Sequence, residues 1–206
     1  MSGNLINFNP MVTLSGSSNS FELESQGYIQ GAFMDDPVAR MWVLPGMVAS
    51  SNTYPLWGGI PIQENIPDLG VHTSGTRESQ IIVPSTATNV TGWTFFNRGH
   101  SMIIAPGQPV PLAGVGMSIA YARNGSNLRI PVPINSSLVS TLEGSSITTQ
   151  VSWDFTTQEL VAYVSGTNEP LPIKVLKVAE NSKIVSFNST TNAVSWTYGY
   201  AALIQI

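Results

Sequence analysis

From Val194 to the last residue the chain alternates. Val194, Trp196, Tyr198, Tyr200, Ala202, Ile204 and Ile206 share one parity, and Ser195, Thr197, Gly199 and Gln205 fall on the other. Successive side chains of a strand point to opposite faces, so this run describes one long strand with an aromatic and aliphatic face. At about 3.3 Å per residue a straight strand of this length would span roughly 40 Å. A bend near Gly199 is expected, where the absent side chain lets the backbone turn.

A second alternation places Ile147, Thr149, Val151, Trp153 and Phe155 opposite Thr148, Gln150, Ser152 and Asp154. Shorter strand signals lie at 28–33, 42–48, 79–83, 91–96, 101–104, 160–164 and 171–178, separated by Gly, Pro and Asn. Between Met117 and Ile130 two such runs flank Asn124-Gly125, a dipeptide that tolerates the positive φ angles of a type I′ turn, and a hairpin is expected there. Helix signals are few. Asn135 offers an N-cap and Gly144 a C′ stop around Leu138, Val139 and Leu142, and Asp36-Pro37 opens a shorter turn through Arg40 and Met41. The expectation is an all-β domain, an antiparallel sandwich or barrel with long loops, one or two short helices and an extended N-terminal arm. The arm covers residues 1–24 and the β-rich domain 25–206, as one unit or as two lobes with a boundary near 106–135.

A chain of 206 residues can bury a core without covalent help, so its lack of cysteine says little about redox compartment. That lack does exclude a thiol nucleophile, a disulfide framework and thiolate metal sites. Charged residues make up only 10% of the chain, against about 25% in ordinary domains, and Ser, Thr, Asn, Gln, Gly and Pro replace them. Eight basic and twelve acidic residues leave a net charge of −4 with no basic cluster, which argues against nucleic-acid binding. No apolar run is long enough to cross a membrane as a helix, and Met1 to Asn19 lacks the pattern of a secretory signal. The Asn-x-Ser/Thr triplets at Asn89, Asn124, Asn135 and Asn188 are then expected to carry no glycan.

Motifs that carry chemistry are sparse. There is no Gly-x-Ser-x-Gly elbow, no phosphate-binding Gly-Lys-Ser/Thr, and Gly114 with Gly116 lacks the third glycine of a dinucleotide fingerprint. His72 and His100 are the only imidazoles and sit in no motif, and Asp35-Asp36-Pro37 has turn-capping chemistry rather than ligand spacing. Asp154 and Glu159 are carboxylates of the type a glycoside hydrolase pairs, but they also suit the two ends of a solvated turn. No cofactor, metal or catalytic residue is expected, and the chain is read as a non-enzyme.

Contact is the better-supported role. Leu5, Phe8 and Met11 are apolar side chains in the otherwise polar N-terminal arm, which fits a segment ordering on a partner and equally a frayed terminus. Arg40 is a rare charge beside an apolar turn. Trp57, in Tyr54-Pro55-Leu56-Trp57-Gly58-Gly59, is either an exposed contact or a core anchor under that loop. The aromatics also keep open a carbohydrate- or receptor-binding β module of a phage tail, built on an exposed aromatic platform. Trp153 and Trp196 are expected in the core.

The stretches Gln26-Gly27-Tyr28-Ile29-Gln30-Gly31-Ala32-Phe33, Asp35-Asp36-Pro37-Val38-Ala39-Arg40, Pro45-Gly46-Met47-Val48 and Leu56-Trp57-Gly58-Gly59-Ile60-Pro61-Ile62 resemble capsid decoration (cement) proteins of tailed bacteriophages. Gly116 to Ala120, Gly125 to Arg129 and the closing strand from Trp196 to Ile206 carry the same character. The resemblance spans residues 26–206 and rests on Gly/Pro turns and apolar strands. It implies a non-enzymatic structural protein made in the bacterial host cytoplasm. Such a protein binds the major capsid protein on the outer surface of an HK97-type virion shell, as a homotrimer, and touches neither nucleic acid nor membrane.

Overall fold

The computed structural model describes residues 27–35, 42–67, 79–96 and 110–206, together with the backbone of two short strands at 4–7 and 20–23. The protein is all-β with one α-helix among the described residues. Five strands, β3 (Leu44–Val48), β4 (Pro61–Asn65), β5 (Ser79–Ile82), β6 (Gly92–Phe95) and β7 (Ser118–Arg123), close a barrel in the order β3-β5-β4-β6-β7. The β3–β5 pair is parallel and the others are antiparallel. After the barrel, β8 (Arg129–Pro133) joins β11 (Lys174–Asn188) and β12 (Ala193–Gln205) in a three-stranded sheet of order β11-β12-β8. Between them β9 (Val151–Asp154) and β10 (Glu159–Ala162) form a hairpin. Both halves contribute to one hydrophobic core.

Register decides what the barrel contains, because residues directly opposite one another on paired strands share a face. Val48 pairs with Ile81, Ile81 with Glu64, Gly46 with Ile119, and Tyr121 with both Leu44 and Thr94, which puts all of these inside. Gly46 leaves the room: a Cβ there would lie 2.3 Å from Ile81 Cγ1 and 3.0 Å from Tyr121 Cε1. The other parity carries Trp93, Phe95, Ala120 and Ala122, which face away from the barrel lumen yet are buried. They are covered from the second half of the chain, where Trp153 of β9 meets Trp93 edge to face at 5.2 Å, and by Phe33, 5.6 Å from Phe95. The outer wall of β6–β7 is therefore the seam between the two layers.

One mouth of the barrel is closed by charge. Arg123 donates from Nε to Glu64 Oε2 at 2.7 Å and from Nη2 to Oε1 at 2.6 Å, and Ser79 Oγ donates to the same Oε1 at 2.5 Å. The Arg123 bonds first, and the Ser79 and Tyr121 hydroxyls after them, outweigh burial and hold the Glu64 carboxyl at about 2. Burial pushes the neighbouring Tyr121 phenol up to about 12. A carboxyl with a lowered folded-state pKa stabilises the fold above its unfolded value near 4.5 and loses that contribution as pH falls toward 2. The guanidinium is 59% exposed, so solvent screening reduces the effect to about 1–2 kcal/mol. Urea titrations at pH 6 and pH 2.5 should show the native chain losing that much more stability than Glu64→Gln; equal losses would mean that the pair contributes nothing.

The helix α1 (Ser136–Leu142) forms where its caps predict: Asn135 Oδ1 accepts from Ser137 N at 3.0 Å, and Gly144 takes φ +73°. Other expectations fail for identifiable reasons. Asn124-Gly125 turns the chain, but β7 and β8 do not pair, because both edges of β7 are taken by β3 and β6 in closing the barrel, and β8 goes to β12 instead. The alternation from Ile147 becomes strand only at Val151, since Thr149 N closes a turn onto Ser146 O. The closing strand runs unbroken through Gly199. The irregularity lies across from it, in β11, where the register shifts between Ala179 and Ser182, the partner of Gly199. The expected strand at 28–33 is reduced to one parallel bridge between Ile29 and Lys183. β4 had no strand signal of its own and begins at a proline, which a first strand position tolerates. Within the stretch read as an extended arm, β1 (Asn4–Asn7) and β2 (Ser20–Leu23) pair antiparallel. The second expected helix, the strand at 101–104 and both histidines lie outside the described residues.

Candidate interaction surface

The long β11–β12 ribbon turns at residues 189–192, where Asn188 Oδ1 accepts from Thr190 N (3.0 Å) and Thr191 N (3.1 Å) and Asn192 takes φ +53°. Along one face, counting from that turn, the paired rows are Phe187 with Val194, Val185 with Trp196, and Lys183 with Tyr198. The first two rows are covered. Phe187 stacks on Tyr54 at 4.6 Å and on Trp57 at 5.2 Å, Val185 and Val194 are buried, and Trp196 leans on Phe96 at 5.4 Å.

At the third row the cover ends. Tyr198 is 76% exposed, and Ile29, which bridges to Lys183 on the far side from Tyr198, is 52% exposed. Lys183 Nζ stands 4.8 Å above the centroid of the Trp196 ring, a cation–π contact that directs the ammonium along the face. The ion pairs among the described residues, Arg123–Glu64 and Arg129–Asp35, do not involve Lys183. The result is a row of aliphatic, cationic and aromatic side chains, Ile29-Lys183-Tyr198, continuing an apolar face beyond what the other described residues cover. Such a row offers large apolar area, a phenol hydroxyl and one positive charge to a partner.

A clasp beneath holds this face in place. Residues 27–31 lie along β11: Lys183 N donates to Tyr28 O (2.8 Å), Gln30 N to Lys183 O (2.9 Å), and Tyr28 N to the buried Ser182 hydroxyl (2.9 Å). The Gln30 side chain is fully buried, accepting from Val185 N at 2.7 Å and donating to Gly58 O at 3.1 Å. Its neighbour Gly31 donates to Pro131 O and accepts from Phe96 N, both at 2.9 Å, so one short segment joins the sheet to the barrel.

Of the contact residues expected from sequence, Leu5 lies in β1 opposite Glu22, and Phe8, Met11 and Arg40 fall outside the described residues. Trp57 is a correction. It is 0% exposed and is the core anchor, not a surface contact. The bend at Gly58-Gly59, with Gly59 at φ +83°, helps turn the indole inward onto Tyr54 and Phe187, and its carbonyl accepts from the buried Thr94 hydroxyl at 2.6 Å. Trp153 is buried as expected, and Trp196 is only partly so. Lys183 was missed, and Tyr198 was not singled out from the other aromatics, because the alternation assigns Tyr198 to the same face as the buried Val194 and Ala202.

Asp154 and Glu159 stand directly opposite each other across the β9–β10 hairpin. Burial pushes the Asp154 carboxyl up, but N–H bonds from Thr156 (2.7 Å) and Thr157 (3.3 Å) outweigh it and hold the group below its ordinary value. Glu159 Oε1 accepts from Asn135 Nδ2 at 2.8 Å, steadying the residue that caps α1. Both carboxylates thus serve local turns and caps. Among the described residues no three His, Asp or Glu side chains group as metal ligands would, and no helix is long and apolar enough to cross a membrane.

Comparison with known proteins identifies no relative: no family model, no curated protein and no solved structure matches the chain.

Proposed function

We propose that this chain is a structural virion protein that decorates the outer surface of an HK97-type phage capsid and stabilises the shell. It would bind the major capsid protein as a homotrimer, without catalysis or cofactor. The observation that carries the reading is the row Ile29-Lys183-Tyr198, left open by the other described residues on the β11–β12 ribbon, in a chain with little charge to desolvate. Burying a surface poor in charge avoids the penalty of stripping water from ions, so wide contacts cost little. Repetition over many equivalent shell sites turns a modest contact into firm retention. The sequence resemblance supplies the partner, and the ribbon supplies a face that suits it.

Quantitative mass spectrometry of purified virions tests the role, since a decoration protein is present at about one copy per capsid subunit or a simple fraction of it. A handful of copies per particle would place the chain in the tail instead. Tyr198→Ala tests the face: binding to shells lacking the protein should weaken about tenfold, the loss of a contact worth about 1.4 kcal/mol, with unfolding unchanged. Full affinity in that variant would remove the ribbon from the interface.

A further inference from the structure

At the open end of the same ribbon, beyond Tyr198 along β12, a groove of about 370 Å³ lies between the start of β11, the end of β12, the 125–127 turn and the 148–150 segment. Its size falls in the range of small-molecule sites, roughly 300–1,000 Å³. The floor is aliphatic: Leu171 and Ile206 are nearly fully buried, with Pro172 and Ile173 beside them. The rim is polar and uncommitted. Among the described residues Gln150 and Lys174 make no side-chain hydrogen bond or ion pair, and the Thr148 hydroxyl bonds only to Ser146. Gln205 makes one long bond of 3.4 Å to Asn127 Oδ1.

Register holds these groups in place. Lys174 and Gln205 are direct cross-strand partners and so share a face. Asn127 is fixed at φ +59° by its N–H bond to Ile206 O at 2.7 Å. On the far side of Gln205 stands Arg129, whose guanidinium is engaged by Asp35 at 2.7 Å.

The chemistry narrows the ligand. Among the described residues no side-chain carboxylate lines the groove. A purely apolar ligand would cover five polar side chains without satisfying them, each at a desolvation cost. A ring with a C–H face for the floor and hydroxyls that both donate and accept satisfies floor and rim together. Each primary amide presents a donor and an acceptor side by side, which matches a vicinal diol.

We propose that this groove binds a neutral saccharide residue, with Gln150 and Gln205 holding adjacent hydroxyls, Lys174 donating to a third oxygen and Leu171 and Ile206 packing beneath the ring. The site is independent of the capsid reading, and a protein on a particle surface could carry both.

Amide spectra of the full isotope-labelled chain, titrated with lactose, maltose and cellobiose to about 20 mM, decide the matter. At least one disaccharide should give saturable shifts in the side-chain amides of Gln150 and Gln205 and in the backbone of Asn127 and Thr148, with a dissociation constant of about 1 mM. Gln150→Ala, an exposed substitution outside any strand, should weaken this binding at least tenfold while Tyr198→Ala leaves it unchanged. Three disaccharides without saturable shifts at these positions would overturn the proposal, as would shifts that persist in Gln150→Ala or that centre on Tyr198. Virion copy number is unaffected by any of these results, so failure of the groove and failure of the decoration role remain distinguishable.

Discussion

Replacing Gly31 with alanine should cost more than about 4 kcal/mol of folding stability, a loss seen only when a mutation breaks something the fold cannot repair. The residue sits at φ +69°, where a Cβ alone costs about 1–2 kcal/mol. The added carbon would also lie 2.5 Å from the carbonyl carbon of Gly58 and 2.8 Å from both its Cα and Phe96 Cδ2. Two of those three atoms are backbone and cannot swing aside. Retreat of the segment would strain the Gly31 bonds to Pro131 and Phe96 and withdraw Gln30 from Val185 and Gly58, stranding buried polar groups. Gly116→Ala is the control. Its φ is +78°, but no atom lies within 4 Å of the would-be Cβ, so only the conformational cost of about 1–2 kcal/mol should appear. Urea unfolding followed by tryptophan fluorescence compares the two. Equal losses would mean that the close approach of 27–31 to 58–59 does not hold the layers together.

Trp153→Ala should be nearly as damaging, at about 3–5 kcal/mol, since it opens a cavity in the seam between barrel and sheet. Trp153 meets Trp93 at 5.2 Å with ring planes 83° apart, and its Nε1 donates to Gln158 Oε1 at 3.3 Å. Gln158 is itself buried, and its amide nitrogen donates to Phe155 O (2.7 Å) and to the Tyr54 hydroxyl (2.9 Å). Burial pushes that phenol up to about 12, so Tyr54 stays protonated and continues the network toward Trp57 and Phe187. Trp153→Phe separates packing from hydrogen bonding: it keeps most of the ring and leaves Gln158 Oε1 without its donor, for an expected loss of about 1–3 kcal/mol. Because the two indoles touch, the losses in Trp93→Ala and Trp153→Ala should fail to add by at least about 0.5 kcal/mol. Strict additivity, or a Trp153→Ala loss below about 1 kcal/mol, would show that the seam is not held by this contact.

Some of this was legible before folding. The helix at 136–142 announced itself through Asn135 and Gly144, whose capping is a local matter of backbone angles and one side-chain bond. The closing strand likewise followed from a period-two pattern that holds whatever the partner. The candidate surface was not legible in this way. Tyr198 and Trp196 occupy equivalent positions in the pattern, yet Phe96 reaches one and nothing among the described residues buries the other. Trp57 went the other way: its loop resembles an exposed contact until Phe187, 130 positions later, covers it.

By itself, then, the sequence determined that this chain would be built from strands, which face of its closing strand would be apolar, where its helix would start and stop, and that common catalytic signatures were missing. Those properties depend on residues a few positions apart. The tertiary structure alone decided that β7 would close a barrel rather than pair with β8, and that Gly31 would touch Gly58. It also decided that Trp57 would be core while Tyr198 faced solvent. A strand has two edges and a limited set of neighbours, and which segment reaches them first is settled by long-range packing, for which no short stretch of sequence carries the information.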